Sequence, residues 1–407
     1  MQIIEKQPGT NRPKLLFLDG LRGIAALYVM MGHARWLLWE GYQAFTAHPE
    51  KYSLFDKFLV YFFSLFKWGH EFVLLFFVLS GFVIHYGYAL KLKQNSSAKI
   101  QWGQYLLRRA RRIYPPFLFA VLLTLILDTI GRANGLAIYD GQTPYQSINT
   151  NVGNQNLEWQ TLAGNLFFLY KEYVPLFGTN GPTWSLKFEW WFYMIYPLMI
   201  LVARKHIYYA TGLMVVLFAA SFFPFLWPEA LSCEIFGSMI CWWLGVILAE
   251  VATGRITMPM PVMAGLAILG FGVCFIISGD SRVTDLKTAF LFTAIIATLL
   301  AAARRGKSLK WLEKLKPLGD FSYTLYIIHF PILVLLSGLI MRYRSNSLPA
   351  HSYFIMLGIV ICLAVAYVAH FLVERPFMKT KTEDMKRLQV KPKLKLVKAK
   401  RKNLEQE

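Results

Sequence analysis

Runs of about twenty apolar residues recur along the whole chain, and a run of that length crosses a bilayer as a helix. They fall near residues 15–38, 69–90, 113–130, 183–203, 207–227, 233–252, 260–279, 286–303, 318–341 and 353–373. The 407 residues are 56% hydrophobic and 16% charged, where a soluble globular chain carries about a quarter charged residues. The fold class that follows is all-α: a polytopic membrane helical bundle of about ten transmembrane helices. Two further stretches, YSLFDKFLVYFFSLF (52–66) and LEWQTLAGNLFFLY (157–170), are short and polar at their flanks. They read as interfacial or re-entrant pieces.

Lysine and arginine alternate sharply between successive loops, and most of the 43 fall on the side of the N-terminus. The positive-inside rule then places both termini in the cytoplasm, as an even number of spans requires. The formal net charge of +20 is mainly a topology signal, and no nucleic-acid partner is expected from it. The stretch KTKTEDMKRLQVKPKLKLVKAKRK opens a basic tail, 379–407. It is expected to be disordered and to lie on anionic lipid. Residues 1–14 are polar and the first span outruns a signal h-region, so no cleavable signal peptide is expected.

Several chemistries find no support. Cys233, Cys241, Cys274 and Cys362 all fall inside spans, without a disulfide framework or metal-ligand spacing. No fixed-period repeat, Walker loop, GxGxxG after a strand or HExxH occurs, and no metal is expected. The longest outside loop, about 131–182, is too short for a separate enzyme domain.

The informative residues are the polar ones at membrane depth. The first span reads LDGLRGIAALYVMMGHAR (18–35) and holds Asp19, Arg22, His33 and Arg35. Arg22 and His33 are eleven residues apart, almost three helical turns, so they share one face and lie roughly 16 Å apart along the axis. Asp19 precedes Arg22 by one turn on the same side. Such a stripe must face the bundle interior or a wet cavity. It reads either as a buried ion pair that locks helix packing or as a working site.

Three other stretches raise the same choice. YLLRRARRIYPPF (105–117) gathers Arg108, Arg109, Arg111 and Arg112 at the cytoplasmic start of a span. Plain positive-inside anchoring explains it, as does a clamp for phosphate groups through bidentate guanidinium forks. Tyr114-Pro115-Pro116 is expected to fix the chain's approach into the helix. NGPTWSLKFEWWFYMIYPL (180–198) starts a span from the outer side, with Glu189 roughly 9 Å below its edge. His33 ends in the same outer layer, so Glu189 is expected to meet it and orient it as a base. LGDFSYTLYIIHFPIL (318–333) puts Asp320, Ser322, Tyr323, Tyr326 and His329 in one span, as a packing network or a polar path, with Pro331 able to kink it. In AHFLVERPF (369–377), Glu374 and Arg375 are expected to form a structural ion pair and the helix to stop before Pro376.

Taken together, these stretches resemble the acyltransferase 3 family of bacterial membrane proteins. The resemblance runs from about residue 15 to 378. It rests on LDGLRGIAALYVMMGH with Arg-x10-His, LLFFVLSGFVI (74–84), RRARRIYPP with Arg109-x-x-Arg112, TWSLKFEWWFYMIYP with Trp184, Ser185, Glu189 and Tyr193, LGDFSYTLYIIHFPI, and ERPF, in the family's order. The family usually has Asp before the LFFVLSG run, where this chain has His70-Glu71, and Lys187 and Trp190 also differ from its commoner residues. The membrane domain would occupy 1–378, without the family's frequent esterase-like periplasmic domain.

The resemblance implies an integral-membrane O-acyltransferase in the bacterial inner membrane. It would move an acyl group, often acetyl, from cytoplasmic acyl-CoA to a hydroxyl of a cell-surface polysaccharide, lipopolysaccharide or lipid-linked sugar. Arg22, His33, Arg109 and Arg112 match positions the family treats as functional. The three arginines would hold anionic acyl-CoA. His33 would act as base or accept the acyl group itself. Glu189 would orient His33. Asp19, Glu71, Ser185, Tyr193, Tyr323 and His329 are candidates for lining the substrate path. Rival readings are a glycan or lipid transporter using the same residues as a polar pathway, and a scaffold subunit of an export complex.

Overall fold

A computed structural model describes residues 15–95, 100–153, 155–203, 206–227, 230–277 and 279–378. The basic tail and residues 1–14 lie outside the described residues, and so do the expectations made for them. Each expected span falls on a helix. They are α1 (Leu16–Leu37), then after the short α2 (Leu54–Ser64), α3 (Gly69–Gln94), α4 (Trp102–Ala133), α5 (Trp184–Val202), α6 (Ile207–Ala220), α7 (Ser232–Thr253), α8 (Met260–Ile276), α9 (Ser281–Arg304), α10 (Ser322–Arg342) and α11 (Tyr353–Met378). Among the described residues, six are long and apolar enough to cross a membrane: α3, α4, α7, α9, α10 and α11. α1 is as long, at 22 residues, but carries the polar stripe. α5 has 19 residues, α6 has 14 and α8 has 17.

The two doubtful apolar stretches form α2 and an eight-residue helix, Trp159–Leu166, both too short to span. α2 starts at a capping box between Ser53 and Asp56. It buries Leu59, Val60 and Phe63 and leaves Leu54, Phe55, Phe58 and Tyr61 exposed.

α1 packs between α3 and α10, while α4 and α11 flank α10 on its other sides. α3 crosses α7 so closely that a side chain on Gly81 would meet the Trp242 carbonyl, and one on Gly245 the Val78 carbonyl. Lipid offers no hydrophobic drive between helices, so small residues that admit close backbone approach set such crossings.

Three local expectations are corrected. α4 begins at Trp102, so the arginines sit on its opening turns, and Pro115 and Pro116 lie inside the helix rather than at its start. The stretch 318–341 is not one helix: a short helix, Lys316–Asp320, ends before Phe321 and α10 starts at Ser322. Asp320 therefore leaves the α10 face and pairs with Lys316 at 2.6 Å. α11 runs through Pro376 to Met378 because the turn His370–Glu374 is π-wound; the wider turn absorbs the proline's missing hydrogen bond. Glu374 pairs with His370 at 3.0 Å and accepts from the Thr324 hydroxyl at 2.5 Å, not from Arg375. The Arg375 guanidinium lies 5.0 Å from the Phe371 ring.

Candidate active site

Arg22, in the polar stripe of α1, reaches a cavity between α3, α4, α5 and α10. Arg22, Arg109 and Arg112 line it, with Ser80, Ser185, Glu189, Tyr193, Tyr323 and Tyr326, against an apolar wall that includes Val73, Phe76 and Phe77. Two wider openings adjoin it. One is lined by Asp19, Arg22, Arg112, Lys316, Asp320 and Glu374. The other is lined by Lys91, Gln101, Gln104, Arg108 and Arg109. Arg22 and Arg112 are shared with the first and Arg109 with the second. Both openings lie at the N-terminal ends of α1 and α4 and the C-terminal end of α3, the side on which the loops are basic.

The charge balance of the cavity is positive. Asp19 lies 3.7 Å from Arg22, one turn away. Among the described residues no carboxylate lies within ion-pairing distance of Arg109 or Arg112. Arg109 sits between two aromatic faces, 5.7 Å from the Tyr105 ring and 5.6 Å from that of Tyr193, and its Nε is buried without a partner. Guanidinium groups left without carboxylates suit an anionic ligand, bound through paired N–H donors.

Glu189 faces this cluster. Its Oε1 accepts from the Ser80 hydroxyl at 3.2 Å and from the Tyr193 hydroxyl. Ser80 also meets Tyr193 at 3.0 Å and accepts from the Trp242 indole at 3.2 Å. The inner end of the cavity is closed by Ser185 and Tyr326, whose hydroxyls are 2.7 Å apart, with Phe76 edge-on to Tyr326 at 5.6 Å. The Tyr326 hydroxyl donates to the Pro182 carbonyl at 3.0 Å.

Behind that wall stands the second half of the stripe. His33 Nδ1 lies 2.8 Å from His329 Nε2, the two rings within 11° of parallel. Tyr326 and His329 have ring centres 6.1 Å apart, so one aromatic layer separates the histidine pair from the cavity. This corrects the expected meeting of His33 with Glu189. The depth arithmetic placed the two at one level, but α1 packs along α10 and α3, not along α5. α10 supplies the partner instead.

Local sequence explains how α10 holds its place. Pro331 has no N–H, which frees the Ile327 carbonyl four residues back. Asn180, just before the Gly181-Pro182 start of α5, donates its amide to that carbonyl at 2.8 Å. The proline thus ties α10 to the head of α5. Tyr323 lines the cavity and donates to the Ile113 carbonyl at 3.3 Å. Glu71 is not among the residues lining the three cavities. Its neighbour His70 pairs with Asp285 at 2.8 Å and stacks on Trp184 at 5.3 Å.

Sequence reading does not single out Ser80, the one hydroxyl in an otherwise apolar run, and it names Lys187 only as a departure from the family's commoner residue. Lys187 is fully buried and bridges Glu172 at 2.7 Å and Glu234 at 3.0 Å, pinning the loop before α5 to α5 and α7.

Residues 15–369 match the family model described as Acyltransferase domain. The Acyltransferase MdmB of Streptomyces mycarofaciens is 25% identical over 399 residues, covering 90% of this chain and 92% of that protein. The Peptidoglycan O-acetyltransferase OatA of Listeria monocytogenes is 23% identical over 346 residues, 78% of this chain and 52% of that protein, so the chain spans about half of its length. No solved structure matches the chain.

Proposed function

The chain belongs to the acyltransferase 3 family, and from that premise we propose that it moves an acyl group, acetyl in the simplest case, from cytoplasmic acyl-CoA to a hydroxyl of a glycan or lipid-linked sugar. On this reading it sits in the bacterial inner membrane with both termini in the cytoplasm, and its basic tail rests on anionic lipid.

The observation that carries the reading is a positive cavity running from the basic side of the bundle to the Ser185–Tyr326 wall, with two histidines immediately behind it. Acyl-CoA is anionic at its nucleotide end and reactive at its thioester end, with a long arm between. Arg109 and Arg112 hold the phosphates, and Arg22 extends the positive path inward. The thioester arrives at the wall beside His33. His33 takes the proton of the acceptor hydroxyl, the hydroxyl oxygen bonds to the thioester carbon, the carbon–sulfur bond breaks, and the leaving CoA thiolate takes that proton from His33. Glu189 works with Ser80 and Tyr193 in shaping the cavity, rather than on His33.

The test uses membranes carrying the protein and isotope-labelled acetyl-CoA, with label followed into the glycan and lipid fractions. Label that appears with the intact protein and is lost in His33→Ala at matched expression supports the reading, and the labelled fraction narrows the acceptor. Label that persists in the variant removes His33 from the chemistry. Absence of label with either protein overturns the choice of donor or acceptor.

A further inference from the structure

The hydrogen bonds around His329 fix which nitrogen of His33 is free. His329 Nδ1 lies 3.0 Å from the Leu325 carbonyl oxygen. A carbonyl only accepts, so Nδ1 of His329 carries the proton. The other nitrogen, Nε2, faces His33 Nδ1 at 2.8 Å. Only one proton fits between those two atoms.

Two assignments remain. Either His329 is neutral and accepts from the Nδ1–H of His33, or it is a cation and donates. His329 is fully buried. Among the described residues neither His33 nor His329 has a carboxylate within ion-pairing distance, whereas His70, His85 and His370 each have one. A buried cation without a counter-charge is costly, so the neutral pair prevails. His33 then holds its proton on Nδ1 and its lone pair on Nε2. His33 is only half-buried, and Nε2 has no hydrogen-bond partner among the described residues.

We propose that His329 is a positioning residue: through the chain Leu325 carbonyl, His329, His33 it holds His33 in the tautomer whose Nε2 carries the lone pair, and Nε2 is the atom that takes the acceptor's proton. The tautomer follows from the geometry alone. Its use as a base rests on the acyl-transfer reading above.

The same logic sets the test. Glutamine at 329 presents a carbonyl oxygen near the place of Nε2, so it accepts from His33 Nδ1–H without being able to titrate. Alanine offers no acceptor. With labelled acetyl-CoA as donor, His329→Ala is expected to lose about 10²-fold in turnover at unchanged donor KM, and His329→Gln to recover most of that loss. Full activity in His329→Ala overturns the proposal, as does a His329→Gln protein as inactive as the alanine variant, since His329 would then need its own proton. A second readout stands apart from activity. Nitrogen-15 spectra of histidine-labelled protein in lipid nanodiscs, with the His33 signals assigned by their loss in His33→Ala, are expected to show a protonated Nδ1 and a bare Nε2, and a tautomer mixture in His329→Ala. The opposite tautomer in the intact protein overturns the proposal. The expected tautomer together with absent acyl transfer overturns the acyl-transfer reading and leaves the positioning role standing.

Discussion

His33 and His85 are both hydrogen-bonded inside the bundle, and they differ in what is left over. His85 is fully used. Its Nδ1 meets the Tyr196 hydroxyl at 2.9 Å, its Nε2 meets Glu250 at 2.6 Å, and Glu250 is held in turn by Arg255 at 2.9 Å. His85 is 1% exposed, and the network ties α3 to α5 and α7. Among the described residues, His33 meets the His329 ring on one nitrogen, has no carboxylate within ion-pairing distance, and keeps the other nitrogen open. A buried polar network in which every member is satisfied rigidifies a fold. One that ends on an unused lone pair, one aromatic layer from the cavity, is left able to take up a proton. The arginines divide in the same way: among the described residues, Arg255 is paired with a carboxylate, and Arg109 and Arg112 are not.

The largest expected effect breaks the comparison on activity. His33→Ala should lower acyl transfer by about 10²- to 10⁴-fold, the range spanned by a positioned general base. His85→Ala should leave turnover per folded molecule unchanged, once both proteins are normalised by monodisperse yield in detergent. Equal losses in the two would erase the distinction between an open and a closed histidine.

Stability should separate them in the opposite sense. Glu250→Leu leaves His85 and Arg255 without their shared partner in a site where Glu250 is 1% exposed. Removing one member of a buried pair costs about 3 kcal/mol. His33→Gln removes no charged partner and should cost under about 1 kcal/mol. Unfolding midpoints in the same detergent check the ordering.

Next comes donor affinity. Arg112→Ala and Arg109→Ala should each raise the donor KM by about tenfold, equivalent to about 1.4 kcal/mol from a charge-assisted hydrogen bond. Arg255→Ala should leave it unchanged, because that guanidinium is already spent on Glu250. A matching rise in Arg255→Ala would place the anion elsewhere on the basic side.

Much of this was legible in the sequence because the membrane makes polar residues conspicuous. Runs of apolar residues located the long helices, six of which among the described residues are long and apolar enough to cross a membrane, and Asp19, Arg22 and His33 stood out by type and fell on one face by simple helical arithmetic. The partner of His33 was not legible. Depth along a helix follows from counting, but which neighbour a helix faces depends on packing, and α10 rather than α5 lies against α1. His329 was in view only as a path residue. The same limit hid Glu374, whose partners are His370 one turn back and Thr324 fifty residues away, not the adjacent Arg375. Prolines misled in a third way: Pro115 and Pro116 read as a helix start but lie inside α4, after opening turns that the hydropathy of the span does not reveal.

The smallest expected effect concerns Glu189, which sequence reading assigned to His33 and the structure gives to Ser80 and Tyr193. If Glu189 shapes the arginine cavity, loosening it should register in donor binding and not in the chemical step. Ser80→Ala removes a hydroxyl bond to Glu189 at 3.2 Å, along with the serine's contacts to Tyr193 and Trp242, and leaves the Tyr193–Glu189 bond in place. Such a bond is worth about 1 kcal/mol, so donor KM should rise by roughly fivefold or less with turnover unchanged. Tyr193→Phe should do more, because its hydroxyl reaches both Ser80 and Glu189. Steady-state kinetics on the two single variants and their double mutant decide the matter. Coupled effects confined to KM fit a carboxylate that braces the donor cavity. A fall in turnover with KM unchanged would return Glu189 to the reacting atoms, and the separation between the arginine cavity and the histidine pair would have to be redrawn.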